Sequence, residues 1–270
     1  MLKKKNYKKI FLVGNKSFLQ ENLFKNLKIK NIVKIKYSKM LKVKTSEDDL
    51  VINFSNHINF YKKKYNQKYD RNLILAKFLG GTKTKFIMLS TRQVYKAKMN
   101  ITENSSIKPI STYGKNCYHS EKNCKKFLCS KLLVLRLTNI IGYENRRKKR
   151  HSLMSAVFKG YKQGLIKFDN NYYLSKDLLP VKQFSEIFKK ILKFDINGVY
   201  NVGTGKSIKV NLFINKILGN KKIKIKIDKK TKILDNNFSI NSKKLFNLIG
   251  YTFTNKILIN EINNLKKKFN

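Results

Sequence analysis

The sequence predicts an α/β fold in which helices cover both faces of a doubly wound parallel sheet. Short apolar runs without helical period alternate with segments whose apolar residues recur every three or four positions. Near the amino-terminal end, one such run is followed at once by a glycine and then by a helical segment. With 270 residues, 41% of them hydrophobic, the chain is long enough to bury a full core.

The first half of the chain supplies the strands of this sheet and the helices that connect them. The strand segments are rich in β-branched and other apolar residues, and each helical segment places its apolar residues on one face. The predicted strands are Lys9–Val13, Asn31–Lys36, Leu50–Phe54, Phe86–Leu89 and Leu132–Leu137. The predicted helices are Phe18–Leu27, Asp70–Leu79 and Tyr113–Leu128.

After Gly142 helical segments become more frequent than strands. The predicted helices are Ser152–Gln163, Val181–Leu192, Val210–Leu218, Ser242–Leu248 and Asn255–Lys268. The predicted strands are Val199–Val202 and Lys222–Ile227, and Asp169–Leu174 is predicted to form a hairpin. The second half is therefore mixed α/β, and no internal repeat or disordered linker divides it from the first.

The net charge of +46 would fit a partner such as nucleic acid or an anionic membrane. Lysines are nevertheless spread through every segment, and asparagine and isoleucine are also abundant, as an AT-rich coding sequence yields. We interpret the charge as a compositional bias on solvated faces and expect no nucleic-acid partner, with a basic nucleic-acid-binding protein as an alternative. One dense cluster, Arg146–Arg150 followed by His151, lies in a predicted loop.

The cysteines and the lengths of the apolar segments argue against a metal-binding, secreted or membrane-spanning protein. Cys117, Cys124 and Cys129 have spacings that match no metal or redox motif, and there are only three histidines, so no metal site is expected. Reduced thiols favour a cytoplasmic protein. The opening basic run precedes only four apolar residues, too few for a signal peptide, and no apolar stretch approaches the length of a membrane span.

Two hydroxyl groups indicate chemistry at the sheet edge. Thr91 lies two residues after the fourth predicted strand, and Tyr113 begins the helix that follows. Ligands of open α/β sheets bind at the carboxyl ends of the strands. A threonine hydroxyl and a tyrosine phenol held there can polarise and protonate one carbonyl oxygen.

The same stretch carries a family resemblance. The segment from Ser90 to Tyr95, a polar loop with a proline, the sequence Ser111–Gly114 and Glu121 together resemble the extended short-chain dehydrogenase/reductase family, the nucleotide-sugar epimerases and dehydratases. The resemblance continues in residues 133–144, 176–184 and 198–208, and so covers nearly the whole chain.

The resemblance implies a Rossmann-type fold with NAD or NADP as cofactor and a nucleotide-sugar substrate. It further implies a dinucleotide-binding domain over residues 7–145 plus part of 176–205. A smaller mixed α/β lobe over residues 146–175 and 206–270 would cover the carboxyl edge of the sheet and form the substrate cleft. A homodimer and a role in surface polysaccharide synthesis are also expected.

The catalytic residues that the resemblance implies are Thr91 and Tyr113. A phenol has a pKa near 10, so a tyrosine that acts as a base near neutral pH needs a positive neighbour. The family provides a lysine four positions after the tyrosine, where this chain has Cys117. Lys115 and Lys122 lie at helical angles that face away from the tyrosine. Either an active oxidoreductase of unusual efficiency or a relative that has lost its chemistry fits this pattern.

The predicted cofactor-binding residues begin with the turn after the first strand. Of three glycines typical of such a turn, only Gly14 is present, since Ser17 and Gln20 occupy the other two positions. Backbone N–H groups at a helix start attract phosphate whatever the side chains, so the predicted set is Gly14, Ser17, Phe18 and Leu19, with a vestigial turn as the alternative.

The other predicted cofactor contacts follow the second, third and fifth strands. Basic and hydroxyl residues at 36–39 favour NADP weakly over NAD. The resemblance implies further cofactor contacts at Asn53, Ser55, Asn139 and Ile140.

Substrate contacts are expected at Arg92, Gln93, Asn139 and Lys176. Dehydratases of the family carry acidic residues where this chain has Arg92 and Gln93, so epimerisation or keto reduction is favoured over dehydration. Three further motifs are interpreted as structural. We expect Arg136 to pair with a carboxylate, Glu121 to make a helix or sheet contact, and Gly203–Lys206 to form a turn.

Overall fold

A parallel sheet of six strands forms the centre of the described part of the chain. The structure is a computed structural model and describes residues 3–14, 16–143, 153–228 and 237–268. Neighbouring strands in the sheet follow the order β10-β5-β4-β3-β1-β2, and every pair is parallel. The strands of the described residues are β1 (Lys9–Val13), β2 (Ile32–Ile35), β3 (Asp49–Asn53), β4 (Lys85–Thr91), β5 (Leu132–Leu137), β6 (Asn139–Ile141), β7 (Leu165–Asp169), β8 (Ser175–Lys176), β9 (Leu178–Pro180), β10 (Gly198–Val202), β11 (Ile208–Lys209) and β12 (Lys224–Asp228).

Helices lie on both faces of this sheet. They are α1 (Phe18–Leu27), α2 (Tyr37–Met40), α3 (Ile58–Lys62), α4 (Arg71–Leu79), α5 (Thr112–Leu128), α6 (Leu153–Lys162), α7 (Val181–Ile191), α8 (Val210–Leu218), α9 (Lys243–Ile249) and α10 (Asn255–Lys266). The predicted α/β fold with a doubly wound parallel sheet is therefore confirmed.

The two faces of the sheet bury separate hydrophobic cores because successive residues of a strand point in opposite directions. In β1, Ile10 and Leu12 pack with α1 and α7, whereas Phe11 and Val13 pack with α4 and α5. Every residue of β3 and β5 is buried, as expected for parallel strands covered on both sides. This arrangement holds the carboxyl ends of β1, β3, β4 and β5 at one edge.

A third core lies among the carboxy-terminal elements. It joins α6, α8 and α10 with β7 and includes Met154, Phe213 and Ile262. Strand β7 pairs in parallel with β12, while β6 pairs with β9 and β8 with β11. Helix α9 lies within the range predicted for the lobe, yet its apolar side chains pack into the core of the sheet.

Most predicted elements are present with ends shifted by a few residues, and β5 has the predicted bounds. The hairpin predicted at Asp169–Leu174 is wrong. A 3-10 turn occupies Asn170–Tyr173, and the partner of β7 is β12, more than fifty residues later. The short helix α3 was not predicted, because five residues are too few to show a helical period. Over the described residues, no helix has both the length and the apolar character required to cross a bilayer.

Candidate active site

The turn between β1 and α1 contains the first group of predicted cofactor residues. Ser17 caps α1, because its Oγ accepts a hydrogen bond from the N–H of Gln20 at 3.2 Å. The side chain of Gln20 is buried beneath the turn, where its Nε2 donates to the carbonyl of Leu12 at 2.7 Å. Its Oε1 accepts from the N–H of Ser17 at 3.3 Å. Gln20 thus fills the strand–helix interface from inside; it does not turn outward.

Gly14 forms a cradle at the end of β1. A Cβ at this position would lie 3.0 Å from Gln20 Oε1 and 3.3 Å from Phe54 Cβ. The backbone beside it is held by neighbouring strands, since Gly14 N–H donates to Ile35 O at 2.9 Å. Phe18 and Leu19 open the ten-residue helix α1 directly behind this point. These residues fit a dinucleotide pyrophosphate, which binds where backbone approaches closely at a helix start. Position 15 lies outside the described residues.

The segment after β3 is a turn locked by asparagine side chains. Asn53 Oδ1 accepts from the N–H of Ser55 at 2.9 Å, and Asn53 Nδ2 donates to Asn72 Oδ1 at 2.7 Å. Ser55 in turn accepts a hydrogen bond from Arg71 Nη1 through its Oγ. Both predicted cofactor residues, Asn53 and Ser55, are therefore buried at the carboxyl edge, beside β1.

Gln93 connects the end of β4, where Thr91 lies, with the start of α5, where Tyr113 lies. The N–H of Gln93 donates to Thr91 Oγ1 at 3.3 Å, and Gln93 Oε1 accepts from the hydroxyl of Ser111 at 2.6 Å. Ser111 also caps α5, whose second residue is Tyr113. A Cβ on Gly114 would lie only 2.3 Å from Gln93 O, so glycine is required for α5 to begin this close to the end of β4. Thr91 and Tyr113 thus lie at one corner of the sheet edge.

Two aromatic residues of α3 pack on Tyr113. Tyr61 stacks on its ring at a centroid distance of 4.9 Å, and Phe60 contacts it edge-on at 6.3 Å. The side chain of Tyr61 is 44% exposed, so it forms the outer layer over Tyr113. Because α3 is too short to show a helical period, this aromatic cover was not predicted.

Cys117, at the position of the family's lysine, is buried one helical turn after Tyr113. Burial raises the pKa of its thiol, although hydrogen bonds from Tyr113 and Ser90 act in the opposite direction. The group beside the candidate phenol is therefore a neutral thiol. Lys115 and Lys122 are exposed, and Lys122 Nζ lies over the ring of Tyr118 at 5.8 Å. Neither lysine is placed where the missing cation would act.

A buried ion pair lies deeper under the same corner. Arg136 binds Glu121 through Nη2 at 2.5 Å and also through Nε, which confirms the predicted pairing of Arg136 with a carboxylate. Ser90 donates to Glu121 at 2.5 Å, and Arg136 Nη1 donates to the hydroxyl of Tyr95 at 2.6 Å. Burial raises the pKa of Tyr95 despite the adjacent guanidinium. Sequence reasoning missed Ser90 and Tyr95 as partners, because nothing in the spacing shows which side chains meet.

The residues predicted to bind substrate lie in different elements. Arg92 is 6% exposed, and its guanidinium lies 3.7 Å from the ring centroid of Phe238. Asn139 and Ile140 are half-buried in β6, and Lys176 is half-buried in β8. The basic cluster at 146–151 lies outside the described residues.

The turn at Gly203–Lys206 surrounds the carboxylate of Asp177. The carboxylate accepts hydrogen bonds from the backbone N–H groups of Thr204, Gly205 and Ile240 and from the Thr204 hydroxyl, at 2.7 to 3.2 Å. The predicted turn is confirmed, and its donors are used within the protein. Burial raises the pKa of Asp177 to about 6, although these hydrogen bonds oppose the shift.

The strand order, the glycine turn and the hydroxyl pair at one edge define a Rossmann-type α/β protein. The model of the NAD dependent epimerase/dehydratase family matches residues 6–203, so the chain belongs to this family. The predicted resemblance to nucleotide-sugar epimerases and dehydratases is thereby confirmed, and the NAD dependence of the family agrees with the predicted nicotinamide cofactor.

Solved structures of three nucleotide-sugar enzymes share this fold. The UDP-N-acetylglucosamine 4-epimerase of Methanobrevibacter ruminantium is 18% identical over 98% of each chain, with a TM-score of 0.78. A dTDP-4-dehydrorhamnose reductase of Clostridium acetobutylicum is 18% identical over 96% of this chain and 99% of its own, with a TM-score of 0.73. The dTDP-glucose 4,6-dehydratase of Bacillus anthracis is 17% identical over 96% of each chain, with a TM-score of 0.72. No curated protein matched the sequence.

Proposed function

We propose that this chain is an NAD(P)-dependent nucleotide-sugar oxidoreductase that catalyses epimerisation or 4-keto reduction. The observation that carries the proposal is that Gln93 bonds both Thr91 and Ser111, the cap of the helix that carries Tyr113, at the sheet edge where the family binds its cofactor. The absence of an acidic pair at positions 92 and 93 favours these reactions over dehydration. Similar structures include an epimerase and a reductase of nucleotide sugars.

The proposed chemistry assigns each hydroxyl a role. When a sugar alcohol is oxidised, its O–H proton passes to the phenolate of Tyr113 while Thr91 Oγ1 binds the same oxygen; when a ketone is reduced, the Tyr113 phenol returns the proton. The nicotinamide, when bound, accepts or donates the hydride. Gly14, Ser17, Phe18 and Leu19 would hold the pyrophosphate.

The remaining predicted contacts complete this proposal. Asn53 and Ser55 would lie beside the adenosine half of the cofactor. Asn139, Ile140 and Lys176 would contact nicotinamide and sugar. Nucleotide sugars are precursors of polysaccharides, so we place the reaction in surface polysaccharide synthesis, in the cytoplasm, with a homodimer as the expected assembly.

The thiol of Cys117 supports a second candidate, a binding or partner subunit that keeps the cleft without turnover. A lysine at this position would stabilise the phenolate of Tyr113, whereas a buried neutral thiol does not. A loss of about three pKa units of tuning corresponds to about 4 kcal/mol of the activation barrier. This candidate predicts cofactor binding without conversion of substrate.

The test combines coenzyme binding with turnover. The fluorescence of NADH and NADPH reports their binding. Turnover is measured with UDP-N-acetylglucosamine and dTDP-4-dehydrorhamnose as probes of epimerisation and reduction. Tyr113→Phe should lower kcat at least 100-fold and leave coenzyme affinity unchanged. Tyr118→Phe, a phenol on the same helix, is the matched control.

Cys117→Lys separates the two candidates. If the wild type converts either probe, the oxidoreductase proposal is supported. If only the lysine variant does, the chain is a binding subunit with a decayed site. If neither form binds a coenzyme, both candidates are wrong.

A further inference from the structure

Arg71 occupies an unusual position beside the end of β2. It is the first residue of α4, and its guanidinium lies 4.7 Å from the ring centroid of Tyr37, which follows β2. Its Nη1 donates to Ser55 Oγ, just after β3. The three side chains therefore meet at the carboxyl edge of the sheet. This place is next to the glycine turn, because Gly14 is hydrogen-bonded to Ile35, the last residue of β2.

The positive charge of Arg71 is not neutralised within the described part of the chain. No described carboxylate lies within 4.0 Å of its guanidinium nitrogens. The neighbouring carboxylate of Asp70 is directed elsewhere, to the N–H of Leu73 and the hydroxyls of Ser120 and Tyr65. A cation in the first turn of a helix is unfavourable against the helix dipole. Arg71 therefore combines an uncompensated charge with N–H donors beyond the one used by Ser55.

Tyr37 adds a second unused polar group at the same place. Its hydroxyl oxygen is buried and has no hydrogen-bond partner among the described residues. A buried hydroxyl without a partner costs free energy, so a ligand oxygen that accepts a hydrogen bond from it would be favoured here. Burial raises the pKa of Tyr37, although Arg71 acts in the opposite direction. The phenol therefore stays protonated and can donate a hydrogen bond.

The chemistry of this corner selects between two forms of the coenzyme. In Rossmann folds the adenosine ribose lies at the end of the second strand, where an acidic residue binds the 2′-hydroxyl of NAD. This chain has Lys36 and Tyr37 at that point and no acid. NADP differs by a phosphate on the same oxygen, which needs a cation and neutral donors.

We propose that Arg71 and Tyr37 form the subsite for the 2′-phosphate of NADP(H), and that the chain therefore prefers NADP(H) to NAD(H). The guanidinium comes from α4, whereas the sequence pattern pointed to the basic and hydroxyl residues at 36–39 after β2. The inference rests on the proposed function, because it assumes that a dinucleotide binds along this edge. A planar guanidinium suits a phosphate, with two parallel N–H···O bonds.

The test is calorimetric titration of NADPH and NADH into the full chain and three variants at physiological salt. Arg71→Met removes the charge and keeps an unbranched side chain against Tyr37. Tyr37→Phe removes only the hydroxyl. Lys83→Met is the matched control, because it removes one exposed cation from the loop before β4, at the opposite edge of the sheet.

We expect the wild type to bind NADPH at least 10-fold more tightly than NADH. Arg71→Met should weaken NADPH 10- to 100-fold and leave NADH within twofold, because charge-assisted hydrogen bonds to phosphate are strong. Tyr37→Phe should weaken NADPH a few-fold without lowering Tm, since the lost hydroxyl has no internal partner. Lys83→Met should change neither coenzyme.

Four results would overturn the subsite. If Arg71→Met weakens both coenzymes equally, the arginine contacts the pyrophosphate. Equal loss in Lys83→Met would show a general effect of charge. If the wild type binds NADH as well as NADPH, the preference is wrong while the proposed function stands. Binding of neither coenzyme would overturn the inference together with the proposed function.

Discussion

Two arginines at opposite ends of the sheet's carboxyl edge, Arg136 and Arg71, differ in how their charge is compensated. Under Thr91 and Tyr113, Arg136 is buried and fully engaged with Glu121 and Tyr95. At the other end, Arg71 has no ion pair with any described residue and lies beside a buried hydroxyl without a partner. Internal pairing at the first end fixes the architecture of the corner, whereas the unused donors at the second are suited to an external anion.

The largest effect is expected from breaking the paired end. Glu121→Gln leaves the guanidinium of Arg136 buried beside a neutral amide, so the free energy of unfolding should fall by about 3–5 kcal/mol. Urea denaturation measures this. Glu47→Gln, on a 61% exposed side chain, is the control and should cost less than about 0.5 kcal/mol. If Glu121→Gln costs no more than this control, Arg136 does not depend on the pair.

Asp177 extends the comparison to a carboxylate whose partners are neutral. Its raised pKa of about 6 means that the folded chain holds the proton more tightly than the unfolded chain, so stability is greatest below pH 3.8 and is lost as pH rises through 6. Wild type should lose about 3 kcal/mol across this range relative to Asp177→Asn. Urea unfolding of both proteins from pH 4 to 7 measures the difference. A difference independent of pH would contradict the expectation.

Gly114→Ala tests whether the close backbone contact with Gln93 positions the start of α5, at the end of the edge where Arg136 is paired. The added Cβ would meet Gln93 O at 2.3 Å, and neither backbone can yield freely, so we expect a loss of about 1–3 kcal/mol and lower kcat. Gly81→Ala is the matched control, since its Cβ would meet nothing within 4 Å. Thermal unfolding of the two variants should therefore differ clearly. Equal Tm values would mean that α5 shifts without penalty.

The smallest effect is expected at the unpaired end. Arg71→Met should change the free energy of unfolding of the coenzyme-free protein by less than about 0.5 kcal/mol, because removing a cation from the first turn of α4 offsets the lost bond to Ser55. The same urea assay used for Glu121→Gln measures it. If Arg71→Met destabilises the protein as much as Glu121→Gln does, the two arginines do not differ in their contribution to stability.

Secondary-structure elements could be predicted from the sequence where the local apolar pattern matches the burial of the element in the fold. Leu132–Leu137 is an apolar run interrupted only by Arg136, and it forms β5 with the predicted bounds because both faces of that strand are covered. The hairpin prediction at Asp169–Leu174 was wrong because the pattern suggested a strand partner nearby in the sequence, whereas β7 pairs with the distant β12. Parallel pairing leaves no turn signal between the paired segments.

The candidate site was less predictable than the fold. Thr91, Tyr113 and the substitution at Cys117 could be located by their order along the chain, and the need of Arg136 for a carboxylate followed from its charge. That the carboxylate is Glu121, that Tyr61 covers Tyr113, and that Arg71 reaches Tyr37 depend on tertiary packing between helices. No spacing rule contains that information.

The three thiols of this chain differ in accessibility, and that offers a practical handle. Cys117 and Cys124 are buried, while Cys129 is exposed immediately after α5. A maleimide dye or nitroxide should therefore attach at a single point on the unmodified protein. Since that point is at the far end of the helix that begins beside Tyr113, the label would report movement of the whole helix when a coenzyme enters.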